Sequence, residues 1–207
     1  DLAAGSAPWP EIALDKAIPW IEKRTGKALA PSQIDAVRLV LASKVAVITG
    51  GPGTGKTYTV ARILAVMETL FGGDLRIGLC APTGRAAAQL QTAIGEYRRE
   101  HQTLRSDPAA VTVHRLLGSR PDGTFVRGAG NRLPFDVVVV DETSMLPVTM
   151  MCRLLESLRA DTRLILVGDP HQLVSVEAGA VLADLVDRDV TAGAGAVLPD
   201  AFTAVCD

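Results

Sequence analysis

The sequence is poor in cysteine. Its three, Cys80, Cys152 and Cys206, are odd in number, far apart and form no CxxC pair, which excludes a disulfide framework or a cysteine-based zinc site and points to buried or idle thiols. Long apolar runs are also missing. Although 48% of the residues are hydrophobic, no stretch approaches the roughly 20 uninterrupted apolar residues of a membrane helix. The amino terminus has neither a basic n-region nor an apolar h-region, so the expectation is a soluble, cytoplasmic protein with no membrane partner. There is no excess of positive charge: the net charge is -2 and the pI about 5.9. That excludes a protein that coats nucleic acid by electrostatics alone, while leaving room for a few local phosphate contacts. The three histidines stand singly, which argues against a histidine metal site. Internal repeats are absent, and only the tail TAGAGAV is low in complexity.

What the sequence has is alternation. At 207 residues it is long enough for one sizeable α/β core or one domain with a short appendage. Because it starts at Asp1 and ends at Asp207 after an alanine- and glycine-rich tail, it reads as a piece of something larger. The expected organisation is an amino-terminal helical extension over 1–30, a main domain over 31–187 and a tail over 188–207. Within the extension, the stretch EIALDKAIPWIEKRTG only partly follows a helical period and predicts a short helix packed on the main domain. Pro31-Ser32 opens a helix over QIDAVRLVLAS, with Ser32 as cap, Asp35 reciprocating, and Ile34, Val37, Val40 and Leu41 on one apolar face.

A β-branched strand follows from Val45. After a glycine loop, TYTVARILAVMETLF reads as a helix ending at Gly72-Gly73, and LRIGLCA as a strand. Then come a helix over GRAAAQLQTAIGEYRR, a short one over TVHRLLG, a loop through Pro121, Gly123 and Gly128, the strand FDVVVVD, a helix through MMCRLLESL, the strand RLILVGD and a helix over AGAVLADLVD. YRREHQTLR reads as a solvated helix end whose cations suit the helix dipole. Strands apolar throughout are buried on both faces, so the fold class is α/β, a parallel sheet with helices on both faces.

The glycine loop carries the chemistry. Gly50 to Thr57 completes the pattern GxxxxGK[ST] between a strand and a helix, the context that identifies a phosphate loop. Glycines let the backbone N–H groups turn inward, the helix N-terminus adds positive potential, Lys56 reaches the β- and γ-phosphates, and Thr57 offers a hydroxyl to Mg²⁺. In VVVVDE, Val137 to Glu142, two carboxylates end a buried strand, where ligands of open α/β sheets bind. Asp141 suits Mg²⁺, and Glu142 suits polarising the water that attacks the γ-phosphate. LVGDPHQL places Gln172 at another strand end, where it could report the γ-phosphate or simply follow a turn on Asp169-Pro170. APTGRAA offers Thr83 and Arg85 for a nucleic-acid phosphate, with a plain helix cap at Thr83 an equal reading.

Taken in order and spacing, SQIDAV, GGPGTGKT, APTGRAA, TVHRLLG, VVVVDETSM and LVGDPHQLVSVEAGAVLADL resemble the amino-terminal motor domain of superfamily-1 DNA helicases. HRLLG and SVEAGAVL resemble in particular the RecD family, the alpha subunits of RecBCD exonuclease (exodeoxyribonuclease V). The resemblance covers about Pro31 to Asp187. It implies a RecA-like P-loop NTPase fold with the RLILVGD strand between the phosphate-loop and VVVVD strands, and ATP with Mg²⁺ as cofactors. It implies a nucleotide site of Gln33, which reads adenine, with Gly51, Pro52, Gly53, Thr54, Gly55, Lys56, Thr57 and Tyr58. Gln172 would couple the γ-phosphate to DNA, and Pro82, Thr83, Arg85, Thr112 and His114 would line a single-stranded DNA track. The family role is 5′-to-3′ movement on single-stranded DNA with RecB- and RecC-like partners. Such motors need a second RecA-like domain bringing arginines to the γ-phosphate, so this chain is expected to carry half a motor, with little turnover alone. The alternatives are a stand-alone RecD-like helicase, a P-loop nucleotide or metabolite kinase, against which Glu142 and Gln172 weigh, or a module that binds nucleotide without turnover.

Lys56→Ala is expected to lose most nucleotide binding, because the lysine's charge sits against the β- and γ-phosphates. Calorimetric titration with Mg·ATP checks this, and unchanged affinity would remove the loop from phosphate binding.

Overall fold

In β1 (Val45–Thr49), β2 (Ile77–Ala81), β4 (Val137–Val140) and β5 (Arg163–Gly168) nearly every residue is apolar and buried. Strands of that composition must be covered on both sides, which parallel pairing with crossover helices achieves. The computed structural model, which describes residues 11–51, 53–71, 75–169 and 203–205, shows this arrangement. With the short β3 (Ala110–Thr112) and β6 (Thr203–Val205) the strands form one sheet in the order β3-β2-β4-β5-β1-β6, every pair parallel. As the family resemblance implies, β5 lies between β1 and β4.

Alternate residues of each strand serve two layers. Ala46, Ile48, Ile77, Leu79, Val137, Val139, Ile165 and Val167 face a core shared with α1 (Glu11–Thr25), α2 (Pro31–Ala42), α3 (Lys56–Leu70) and α4 (Gly84–His101). Val47, Cys80, Val138, Val140, Leu164 and Leu166 face the other core, with α5 (Val113–Leu117) and α6 (Val148–Ser157). Helix α1 belongs to the first core through Ala17 and Ile21, and packs on α3.

Helix α3 has almost no solvent face. Thr59 through Glu68 are all buried, because α1, α2 and α4 cover the sides that the sheet does not. Two charges are enclosed with it, Arg62 and Glu68. The Glu68 carboxylate accepts from the backbone N–H groups of Arg105 at 2.6 Å and Ser106 at 3.0 Å, and so fixes the chain leaving α4.

Three local expectations are corrected. Helix α2 begins at Pro31 with Ala30 before it, so Ser32 lies inside the helix; Gln33, not Asp35, closes the turn, its Oε1 accepting from Ala30 N–H at 3.2 Å. Proline at the first helical position, with fixed φ and no N–H to satisfy, starts the helix earlier than a Ser32 cap would. The end of α4 is solvated only in part: its last turn is basic and Arg99, Glu100 and Gln102 are exposed, but Tyr97 and His101 are buried against α3, and the Tyr58 hydroxyl lies 3.0 Å from His101 Nε2. Of the segment's arginines, Arg99 and Arg105 keep the exposed character expected, while Arg98 is half-buried and pairs with Asp107 at 3.1 Å. Strand β3 pairs with the end of β2 and has no counterpart in the sequence reading. The helix expected over AGAVLADLVD, the Gly72-Gly73 stop, Pro52 and Gln172 lie outside the described residues. Among the described helices none is long and apolar enough to cross a membrane.

At the opposite edge from the phosphate loop, Asp136 ties three chain segments together. Its carboxylate accepts from the Arg76 backbone and Nε, both at 3.0 Å, from Arg76 Nη2 at 2.6 Å and from Arg159 Nη2 at 2.7 Å. Hydrogen bonds from Arg76 are the largest cause, ahead of the opposing effect of burial, and they hold this carboxyl well below the usual carboxylate range. Asp136→Asn is therefore expected to destabilise the fold by about 1–2 kcal/mol at neutral pH. A depressed folded pKa gives stability that is present above the unfolded value near 4 and is lost as pH falls below it. Urea midpoints of the two proteins should accordingly converge in acid, and a pH-independent gap would contradict the assignment.

Candidate nucleotide-binding site

Because every strand runs the same way, the loops after β1, β2, β4 and β5 leave from one edge of the sheet. The loop from Gly50 turns through Gly53 at φ 78° and Gly55 at φ 81°, left-handed conformations that a side chain would oppose, and delivers Lys56 to the start of α3. Thr54 closes the turn, its hydroxyl donating to Gly51 O at 2.9 Å. The Lys56 ammonium donates to Gly50 O at 2.7 Å and Gly51 O at 2.8 Å, inside the curl of the loop.

One residue further on, the Thr57 hydroxyl donates to Asp141 Oδ2 at 3.5 Å. The phosphate-loop hydroxyl and the strand-end carboxylate, 84 residues apart in sequence, are thus brought together as expected. Asp141 is buried; burial is the main cause raising its pKa, and the neighbouring Glu142 adds to it, while a hydrogen bond from Glu142 N–H at 2.9 Å opposes the shift. A hydroxyl and a carboxylate of this kind are hard oxygen ligands and fit Mg²⁺, which takes one or two protein oxygens and completes its shell with phosphate and water. Glu142 is half-buried with φ 53° and ψ 42°, a left-handed backbone rare outside glycine, and a 3₁₀ turn over Thr143–Met145 follows it.

The remaining sequence-predicted residues divide. Gln33 sits beside the first turns of α3, its Nε2 donating to Thr59 Oγ1 at 3.2 Å. The Tyr58 hydroxyl is engaged with His101 on α4, a packing role apart from the Lys56–Thr57–Asp141 cluster. Pro82 and Thr83 follow β2, and Thr112 ends β3, in register next to Ala81. Both threonines are helix caps: Thr83 Oγ1 accepts from Ala86 N–H and Thr112 Oγ1 from Arg115 N–H, each at 3.2 Å. Arg85 and His114, in the first turns of the capped helices, are exposed. These five follow β2 and β3 at the same sheet edge. Sequence reasoning missed Arg62, which holds Gln33 through a bond of 2.9 Å to its Oε1; an arginine in the middle of an apolar helix gives no sign of its partner.

A parallel, doubly covered sheet with GxxxxGKT after β1 and a buried aspartate after β4 defines a RecA-like P-loop NTPase domain. The chain belongs to the AAA domain family, whose profile matches residues 33–178. It is 50% identical over 181 residues to RecBCD enzyme subunit RecD of Mycolicibacterium smegmatis, covering 83% of this chain and 32% of that protein. Over 160 residues it is 46% identical to the RecD subunit of Haemophilus influenzae, covering 72% and 25% of the two chains. It is 37% identical over 171 residues to the ATP-dependent RecD2 DNA helicase of Deinococcus radiodurans, covering 83% and 22%. The chain spans about a third of these relatives' length or less. Among solved structures, T4 UvsW (TM-score 0.52, 16% identity, 78% of this chain and 35% of that one) and Pif1 helicase from Candida albicans (TM-score 0.50, 22% identity, 73% and 37%) share the fold.

The raised pKa of Asp141 means that the fold disfavours its ionised form, so the stability linked to this group falls as pH rises above the unfolded value. Asp141→Asn is therefore expected to leave the melting temperature of the nucleotide-free protein unchanged or higher, by about 2–4 °C for each kcal/mol relieved. It should also abolish the increment that Mg²⁺ adds to stabilisation by nucleotide. A Mg²⁺-dependent shift equal to that of the parent would exclude Asp141 as a ligand.

Proposed function

We propose that this chain is the first motor domain, over 31–187, of a RecD-type DNA helicase that hydrolyses ATP to move 5′-to-3′ on single-stranded DNA. The observation that carries the reading is the meeting of Thr57 and Asp141 at 3.5 Å with Glu142 as the next residue. A phosphate loop followed by one strand-end acid suits transfer to many acceptors; a second acid beside it suits water. Identity of 50% and 46% to RecBCD subunits, against 37% to the RecD2 helicase, favours work beside RecB- and RecC-like partners over a stand-alone enzyme.

In this reading Lys56 exchanges its bonds to Gly50 O and Gly51 O for the β- and γ-phosphate oxygens, a stronger charge-assisted pairing. Thr57 and Asp141 would hold Mg²⁺, which when bound neutralises charge on the same phosphates. Glu142 orients the attacking water and accepts its proton. Gln172 senses the γ-phosphate, and Gln33 meets the base. Pro82, Thr83, Arg85, Thr112 and His114 touch the DNA backbone a few phosphates at a time, as a translocase that must release its track requires.

Glu142→Gln should still bind ATP, since the amide keeps the shape of the carboxylate, yet release phosphate at least about 10²-fold more slowly and accumulate on DNA. Steady-state phosphate release with and without oligonucleotide checks this, and near-normal turnover would take Glu142 out of the mechanism.

A further inference from the structure

Arg62 is 2% exposed and held through its two Nη atoms, while its buried Nε has no hydrogen-bond partner. Its Nη2 donates to Lys27 O at 2.5 Å and Thr25 Oγ1 at 3.3 Å, its Nη1 donates to Ala28 O at 3.2 Å and Gln33 Oε1 at 2.9 Å, and its guanidinium lies 5.5 Å from the Tyr58 ring centre. The same Gln33 oxygen accepts from the backbone N–H of Ala30 at 3.2 Å. Neither an arginine nor a backbone N–H can accept a hydrogen bond, so the two together fix which end of the Gln33 amide is oxygen. Both lone pairs of that oxygen are then engaged. On the other end, Nε2 has two hydrogens, and one goes to Thr59 Oγ1. What Gln33 has left to offer a ligand is a single N–H donor.

A glutamine that reads adenine does so with both ends of the amide, its oxygen accepting from N6 and its nitrogen donating to N7. With the oxygen occupied, only the donor half remains. Its natural partner is N7, which adenine and guanine share, and guanine offers O6 as a second acceptor on the same edge. We infer that Arg62 is a specificity-setting positioning residue, which locks the Gln33 amide so that this site recognises the purine N7 and does not discriminate ATP from GTP. The inference rests on the nucleotide-site reading above and departs from the adenine-reading role that resemblance assigns to Gln33.

The test is calorimetric titration of the full chain with ATP, GTP and 7-deaza-ATP in Mg²⁺, repeated on Arg62→Met with a melting curve to confirm folding. ATP and GTP should bind within about threefold of each other, and 7-deaza-ATP, which has carbon in place of N7, about five- to tenfold more weakly than ATP. Arg62→Met frees one lone pair of Gln33 Oε1, so the preference for ATP over GTP should rise by about five- to tenfold. A purely structural role for Arg62 would weaken all three nucleotides alike. The inference is overturned if the parent protein prefers ATP over GTP more than tenfold or binds 7-deaza-ATP as well as ATP. Those outcomes require no variant and leave the nucleotide-site reading intact, whereas binding of none of the three would overturn both.

Discussion

The placement of β5 between β1 and β4 is the constraint on which the functional edge depends. Hydrogen-bonded strands lie about 4.8 Å apart, so two strands with one between them are about 10 Å apart. That gap is spanned from one side by the glycine turn that carries Thr57 and from the other by the Asp141 side chain, and the two meet at 3.5 Å. Parallel direction matters equally, since one reversed strand would send its polar end to the edge where Arg76, Asp136 and Arg159 are found.

The enclosure of α3 has its own electrostatic logic. Arg62 and Glu68 are both buried on this helix, and backbone groups hold each: carbonyls of Lys27 and Ala28, beside Thr25 Oγ1 and Gln33 Oε1, for the cation, amides of Arg105 and Ser106 for the anion. A buried charge is tolerable when most of its hydrogen-bonding capacity is filled, and of the Arg62 guanidinium the buried Nε has no hydrogen-bond partner. Here the backbone partners belong to irregular chain that has no ladder of its own. The two charges replace secondary structure in fastening the segment between α1 and α2, and the segment after α4, to the helix that starts at the phosphate loop.

How much of this the sequence disclosed follows from the range of each signal. GxxxxGKT and VVVVDE are local patterns whose flanking strands are apolar throughout, and the order of strand and helix makes the sheet parallel; the strand order in which Thr57 meets Asp141 came only with the family resemblance. Features decided by a distant surface were hidden. Tyr97 and His101 sit in a segment rich in arginine, and only the apolar side of α3 makes them core. Strand β3, three residues long, exists because the end of β2 offers it a ladder. Ser32 has the chemistry of a cap, but the geometry of Pro31 outranked it. Arg62 resembles any helical arginine until its partners from residues 25 to 33 are placed around it.

The left-handed backbone of Glu142 has a consequence for how the chain tolerates mutation. A residue with a Cβ in that conformation stores about 1 kcal/mol or more that glycine would release and asparagine would partly release. Most positions of a folded chain sit in a stability well that random substitution leaves uphill; at 142 two substitutions lead downhill. Glu142 is therefore a position where the backbone geometry by itself favours glycine or asparagine over the glutamate that occupies it.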